Sequence, residues 1–155
     1  MKEIRTILEN LEIASKKGIK TALATVVNVH GSSYRRTGAR MLIREDGYWF
    51  GSVSGGCLEG DVIEKAQTVI KNNQTELFKY DTRQNAKNSF GMGYGCNGLL
   101  EILIEPIQND EANAAHSLLQ EISAYPNLQG LSTVFYSDDE TLRFRTITNT
   151  RWTII

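Results

Sequence analysis

The feature that most constrains this chain is a glycine-rich segment between a predicted strand and a predicted helix. It runs from Gly51 to Gly60 with the sequence GSVSGGCLEG. An aromatic strand over 48–50 leads into it, and a helical pattern over 61–70 follows it. Cys57 is therefore expected at a helix N-terminus, where free backbone N–H groups and the positive end of the helix dipole favour an anion. That anion is either a bound phosphate or the thiolate of Cys57 itself.

The rest of the pattern alternates helices and strands. Apolar residues at helical spacing predict a first helix that ends near Gly18, and residues 21–29 form a nearly all-apolar segment typical of a central strand buried on both faces. Asp46-Gly47 is a turn signal for a hairpin. Two further strands are predicted over 76–80 and 99–105, and Pro106 is expected to end the second of them. A second hairpin is predicted over 131–136 and 141–146, and a third helix over 112–122. The sequence thus predicts an α/β fold in which a mixed sheet with hairpins is covered by helices.

Length and composition favour a single domain over residues 1–155. The net charge of −1 gives no reason to expect nucleic acid as a partner, and no apolar run approaches the roughly 20 residues that span a bilayer. The N-terminal segment is amphipathic rather than a signal peptide. Two cysteines without an export signal indicate reduced thiols and a cytoplasmic protein.

Glycines mark the candidate site. Eleven of the thirteen lie between Gly31 and Gly98, and all of these except Gly47 in the hairpin turn fall in three loops, 31–40, 51–60 and 91–98. Glycine is used where the backbone takes positive φ or approaches a ligand closely. Each loop taken alone is better explained as a plain turn, but two of the three carry the only cysteines of the chain, Cys57 and Cys96. We therefore expect the loops to meet in one pocket.

Side chains in these loops suit an anionic ligand. The first loop, 31–40, holds three arginines and three Ser or Thr hydroxyls, which are phosphate-binding groups, although a solvated basic loop has the same composition. Glu59 either complements the helix dipole or hydrogen-bonds a ligand. Neither a P-loop, a dinucleotide fingerprint nor a nucleophile elbow is present, and the Cys and His spacing does not predict a metal site.

The three loops together resemble the XdhC/CoxI family of molybdenum-enzyme maturation factors. The matching segments are residues 24–27 with Gly31-Ser-Ser33 and 38–41, then 51–60, then 95–106. The resemblance implies an accessory protein, rather than an enzyme, that transiently binds the molybdenum cofactor, aids its sulfuration by a cysteine desulfurase, and delivers it to an apo molybdenum hydroxylase such as xanthine dehydrogenase. It leaves the oligomeric state open, with a homodimer as one option.

The resemblance also implies roles for particular residues. Cys57 is the expected cofactor ligand or sulfur-handling thiol, and Cys96 is the second thiol. The pterin phosphate is expected in a cradle built from these groups: Ser33, Arg40 and the backbone of Ser54, Gly55 and Gly56. Family members often have a proline-rich first loop, where this chain has Tyr34-Arg-Arg-Thr37, and many continue into a C-terminal Rossmann-like domain. Two other functions fit the residues: a thiol-dependent enzyme with Cys57 as nucleophile, and a regulatory or interaction module.

Overall fold

The computed structural model describes residues 2–83, 97–107, 131–134 and 145–148. Its helices are α1 (Lys2–Lys16) and α2 (Glu59–Asn72). Its strands are β1 (Thr21–Ser32), β2 (Arg40–Arg44), β3 (Trp49–Gly51), β4 (Glu76–Asp81), β5 (Asn97–Ile107), β6 (Leu131–Val134) and β7 (Arg145–Thr148).

Five strands form one sheet in the order β3-β2-β1-β5-β4, and each neighbouring pair is antiparallel. Strand β1 lies in the middle, as its apolar sequence predicts, since only a central strand between two covering layers has both faces buried. The sheet with its hairpins and covering helices confirms the predicted α/β fold class. Strands β6 and β7 pair separately and antiparallel, which agrees with the predicted second hairpin.

The two helices cover opposite faces of the sheet, because side chains alternate along each strand. Helix α1 buries Ile7 and Leu11 against Leu23 and Leu42 on one face, here called the α1 face. The opposite face, the α2 face, carries the larger apolar cluster. It is formed chiefly by these residues: Ala22, Ala24, Val26, Met41, Ile43, Leu100, Ile102 and Ile104 from the sheet, and Val62, Ala66 and Val69 from α2.

Strand β5 is longer than the sequence pattern predicts. The expected end before Pro106 is wrong, because the strand continues to Ile107 and Pro106 pairs with Ala22 of β1. The last pair between β4 and β5 is Glu76 with Ile104, so among the described strands only β1 pairs with β5 at the proline. A missing backbone N–H is tolerated where no second neighbour needs it.

The end of β1 and the start of β5 lie side by side at one end of the sheet. Gly31 pairs with Gly98, and Ser32 pairs with Asn97. Gly98 fits because a Cβ there would lie 2.7 Å from the carbonyl oxygen of His30. The first glycine loop therefore leaves the sheet beside the point where the third one joins it.

Several expectations fall outside the described residues. They are the third helix over 112–122 and most of the third glycine loop, including Cys96. Within the part of the chain that the structure describes, no helix has both the length and the apolar character needed to cross a membrane.

Candidate functional site

The loop that carries Cys57 joins β3 to α2 and is organised around the carboxylate of Glu59. One carboxylate oxygen accepts hydrogen bonds from the Ser52 hydroxyl at 2.8 Å, the Ser54 N–H at 2.9 Å and the Val53 N–H at 3.3 Å. The other accepts a hydrogen bond from the Ser54 hydroxyl. Glu59, in the first turn of α2, thus binds the loop that precedes its own helix.

Ser54 completes this arrangement with its remaining hydrogen-bonding capacity. Its hydroxyl oxygen accepts hydrogen bonds from the backbone N–H groups of Leu58 at 3.1 Å and Gly56 at 3.3 Å. A hydroxyl has one donor and two acceptor positions, so all three are occupied. The side chain is also only 2% exposed. Ser54 and Glu59 therefore shape the loop from inside.

These hydrogen bonds occupy part of the predicted phosphate cradle. The N–H groups of Ser54 and Gly56 donate within the loop, whereas those of Gly55 and Cys57 have no acceptor among the described residues. Of the N–H groups in this part of the loop, those of Gly55 and Cys57 therefore remain available to bind an anion. The Ser-x-Ser pattern followed by Glu59 is typical of such internal hydrogen bonds, because hydroxyl and carboxylate groups near a helix start often bind the nearby backbone.

The ionisation of Glu59 follows from the same contacts. Burial alone would raise the pKa of this carboxyl, but hydrogen bonds from the Ser54 hydroxyl, the Ser54 N–H and the Ser52 hydroxyl outweigh it and hold the pKa below its ordinary value. Hydrogen bonds to the charged form favour that form. The loop is therefore built on a carboxylate that stays ionised at neutral pH.

Cys57 is a free, half-buried cysteine one residue before Leu58, the N-cap residue of α2. It packs at the rim of the α2-face cluster together with Val29 and Ala39. The expected position at a helix N-terminus is thus what the structure shows. Cys57 thus packs on the core while part of the residue stays accessible to solvent.

The first glycine loop contacts the Cys57 loop through Tyr34. A Cβ built at Gly55 would lie 2.8 Å from the ring atom Cγ of Tyr34, so glycine is needed where the ring rests on the backbone. Tyr34 itself is 75% exposed. Two of the three glycine loops therefore meet, as expected, two residues from the thiol. Tyr34 was not among the predicted site residues, and no periodic pattern in the sequence marks it.

The three arginines of the first loop have three different environments. Arg35 forms a two-pronged ion pair with Glu3 of α1, at 2.6 and 2.7 Å. Arg40 is only 8% exposed and donates to the carbonyl oxygen of Gly38 at 3.1 Å. Arg36 is exposed, and the structure gives its guanidinium no partner among the residues it describes.

Arg40 and Cys57 lie on opposite sides of the sheet. Arg40 alternates with Leu42 along β2 and so belongs to the α1 face, whereas Cys57 packs on the α2 face. The structure thus does not bring the Arg40 guanidinium to the thiol. The period-two alternation of β2 was the available signal, because Arg40, Leu42 and Arg44 must share one face.

Arg40 instead faces Glu105, a residue that the sequence pattern did not single out. Burial lowers the pKa of Arg40, and the charge of Glu105 partly offsets this. Burial raises the pKa of Glu105 to about 7, against the influence of Arg40. Within the described residues, Arg40 Nε and Glu105 Oε2 are buried without hydrogen-bond partners. The backbone of Arg40 still serves the site, since its carbonyl oxygen accepts the Ser52 N–H at 3.1 Å.

A cavity of about 550 Å³ opens at the first loop. Its walls include Val29, Gly31, Ser33, Arg36 and Thr37. The hydroxyl of Ser33, a predicted ligand-binding group, is buried and has no hydrogen-bond partner among the described residues. Val29 belongs to the same side of the sheet as Cys57. Over residues 2–83, 97–107 and the two short strands, no cluster of His, Cys, Asp and Glu suits a metal ion.

Known proteins resemble this chain over the region that contains the candidate site. Residues 14–81, which include the first loop and the Cys57 loop, match the XdhC and CoxI family. The chain is 39% identical over 92 residues to a probable xanthine dehydrogenase subunit of Bacillus subtilis, covering 59% of this chain and 28% of that protein. It is 36% identical over 76 residues to the molybdenum cofactor insertion chaperone PaoD of Escherichia coli, covering 49% of this chain and 24% of that protein.

A solved structure shows the same fold. The crystal structure of a xanthine dehydrogenase from Bacillus halodurans superimposes with a TM-score of 0.61 and 37% sequence identity, covering 77% of this chain and 34% of that one. The chain thus spans about a third or less of the length of these relatives. The resemblance predicted from the glycine loops is confirmed over part of the chain: residues 14–81 match the XdhC and CoxI family.

Proposed function

We propose that this chain binds the molybdenum cofactor and acts as a chaperone in the maturation of xanthine dehydrogenase-type molybdenum hydroxylases. The observation that carries the proposal is that the family match over residues 14–81 contains the free thiol of Cys57 and the two loops that meet beside it. Relatives named as a molybdenum cofactor insertion chaperone and as part of a xanthine dehydrogenase support it.

The chemistry of the loop suits such a ligand. A thiolate is a soft ligand that binds soft or thiophilic metal centres in preference to hard ones. Cys57 offers its thiol on a loop whose shape is fixed from inside by Ser54 and Glu59, so a ligand meets a preorganised surface. In this proposal, Cys57 contacts the molybdenum end of the cofactor, and the exposed ring of Tyr34 borders the bound pterin.

The finer steps belong to the same proposal. The cofactor, held here transiently, exchanges its terminal oxo ligand for sulfide. The persulfide of a cysteine desulfurase supplies the sulfur, a thiol reductant supplies the two electrons that reduce it to sulfide, and the oxo oxygen leaves as water. The cofactor then passes to an apo molybdenum hydroxylase in the cytoplasm. Cys96 serves as the second thiol. The chain then acts as an accessory protein whose output is a loaded client enzyme.

The test is reconstitution of an apo-hydroxylase with cofactor carried by this chain. Cofactor released anaerobically from a purified molybdoenzyme is incubated with the wild-type chain or with Cys57→Ser, and the complex is separated by gel filtration. Bound pterin, molybdenum and cyanide-labile sulfur are measured before and after transfer. Cys57→Ser is expected to retain the fold and lower the molybdenum or labile sulfur that reaches the client at least tenfold.

A matched variant controls for packing. Ala39→Ser also places a hydroxyl at the rim of the α2-face cluster, and it should transfer cofactor as the wild type does. Equal transfer by the wild type, Cys57→Ser and Ala39→Ser contradicts the role of Cys57. Absence of cofactor binding by the wild type contradicts the chaperone function, and thiol-dependent turnover of a small molecule in its place identifies the enzyme alternative.

A further inference from the structure

The first loop offers one arginine that is free to bind a ligand. Arg35 is held by both carboxylate oxygens of Glu3, and Arg40 is buried on the α1 face. Arg36 is exposed and lines the cavity at the first loop. Of the three arginines, only Arg36 therefore combines access to solvent with a guanidinium that no described side chain has neutralised.

The cavity also holds a polar group that lacks a partner. The Ser33 hydroxyl oxygen is buried in its wall without a hydrogen-bond partner among the described residues. A buried polar atom without a partner costs free energy, and a ligand that hydrogen-bonds to it removes that cost. A hydroxyl and a guanidinium around one cavity form a donor set suited to phosphate, because the guanidinium fork matches two phosphate oxygens.

The loop is held in place before any ligand arrives. The Gly38 N–H donates to the carbonyl oxygen of Val26 at 2.8 Å, and the Val26 N–H donates to that of Ala39 at 2.9 Å. The Ala39 N–H closes a turn on the carbonyl oxygen of Arg36 at 3.1 Å. Arg36 thus lies at a turn fastened to the central strand, which reduces the ordering that binding requires.

The cavity and the thiol lie on the same side of the sheet. Val29 in the cavity wall and Cys57 both border the α2-face cluster. Tyr34 follows Ser33 in the chain and rests on Gly55, two residues from Cys57. A ligand that carries both a phosphate group and a thiophilic centre matches this arrangement of groups.

We propose that Arg36 and Ser33 form a phosphate-binding subsite, and that it takes the phosphate group of the ligand whose thiophilic centre meets Cys57. The inference rests on the proposed function for the identity of that ligand. It assigns the phosphate to Arg36 in place of Arg40, whose guanidinium lies on the other side of the sheet.

The experiment compares Arg36→Gln with the wild type on two ligands. The ligand is the stable fluorescent oxidised pterin derived from the cofactor, used with its phosphate and after removal of the phosphate by a phosphatase. Arg36→Gln should weaken binding of the phosphorylated pterin about ten- to a hundredfold, as loss of a charge-assisted contact does. The same variant should bind the dephosphorylated pterin as the wild type does.

A control variant, a second variant of the subsite and a simpler ligand make the result specific. Arg5→Gln removes the same charge from an exposed position on α1 and should bind both pterins as the wild type does. Ser33→Ala should weaken binding of the phosphorylated pterin only. Titration with inorganic phosphate, followed by phosphorus NMR, probes the subsite without any pterin.

The outcomes separate the subsite from the proposed function. Equal affinities of Arg36→Gln and Arg5→Gln for the phosphorylated pterin, with the wild type still delivering cofactor, overturn the subsite and leave the function standing. Binding of inorganic phosphate that depends on Arg36, without delivery of cofactor, supports the subsite and overturns the function. A loss in Arg36→Gln that is the same for both pterins overturns the phosphate assignment.

Discussion

At the scale of single residues, hydrogen bonds inside the loop decide what the site can offer. The polar residues around Cys57 suggest several groups that reach outward to a ligand. The structure shows that Ser54 and Glu59 bind each other and the loop backbone instead. Sequence alone identifies these residues as important, but it cannot say which partner a hydroxyl or carboxylate selects, because that depends on the path of the loop.

Glu59 provides a stability prediction. Glu59→Gln should lower the free energy of unfolding at pH 7 by about 1–3 kcal/mol, because the charged acceptor of the loop donors is lost. The pKa of Glu59 is lowered in the folded state, so its carboxylate stabilises the protein above the ordinary carboxyl pKa, and this stabilisation disappears as the pH falls through the lowered value. The gap between wild type and variant should therefore close in acid.

Urea unfolding at pH 7 and at progressively lower pH measures this gap. Glu64→Gln, at an exposed position of the same helix, is the matched control and should change the stability little. An effect of Glu59→Gln no larger than that of Glu64→Gln at pH 7 would contradict the structural role of the carboxylate.

At the scale of elements, alternation along strands and periodicity along helices predicted most of the framework. The first helix, the central strand, the first hairpin and the second helix all occur where their patterns predicted them. The predicted end of β5 was wrong, because whether a strand can contain Pro106 depends on how many neighbouring strands pair with it there. Contacts between loops, such as that of Tyr34 with Gly55, cannot be predicted from periodicity and are visible only in the structure.

The Tyr34–Gly55 contact gives a second prediction. Gly55→Ala should displace the Tyr34 ring, since its Cβ would lie 2.8 Å from Cγ. Gly55 has an ordinary backbone conformation rather than a positive φ, so the cost is steric and not conformational. We expect a loss of cofactor binding of at least severalfold with a small change in stability.

A double-mutant cycle tests the cause. Tyr34→Ala removes the ring, so adding Gly55→Ala to it should have little further effect on binding. Additive effects of the two substitutions would show that Gly55 is needed for some reason other than the ring. Gly60→Ala, where a Cβ meets nothing within 4 Å, serves as the control for a glycine replacement.

At the scale of the whole molecule, the two faces of one sheet separate two kinds of chemistry. The α2 face borders the thiol and the cavity of the first loop, whereas the α1 face buries Arg40 and Glu105. Strand β2 links them, because the side chain of Arg40 belongs to the α1 face while its carbonyl oxygen holds Ser52 of the Cys57 loop. The charge state of Glu105 is thus part of the stability of the framework that carries the site.

The last prediction concerns this buried carboxyl. Burial raises the pKa of Glu105 to about 7, from an ordinary value of 4.5. Since the folded-state pKa is the higher one, the contribution of Glu105 to stability is fully present below pH 4.5 and is lost as the pH rises to about 7. Wild type should lose on the order of 2–3 kcal/mol relative to Glu105→Gln across this range, because the amide does not titrate.

Glu101 on the same strand is a control of opposite sign. Hydrogen bonds from Lys79 at 2.9 Å and Asn28 at 3.0 Å lower its pKa, so its carboxylate stabilises the protein above the ordinary carboxyl pKa and loses that effect in acid. Urea unfolding of the wild type, Glu105→Gln and Glu101→Gln between pH 4.5 and 8 distinguishes the two. The stability difference between wild type and Glu105→Gln should change with pH up to about 7, while that of Glu101→Gln should be level. Parallel curves for wild type and Glu105→Gln over this range would show that the buried carboxyl is ionised throughout and that Arg40 compensates its burial.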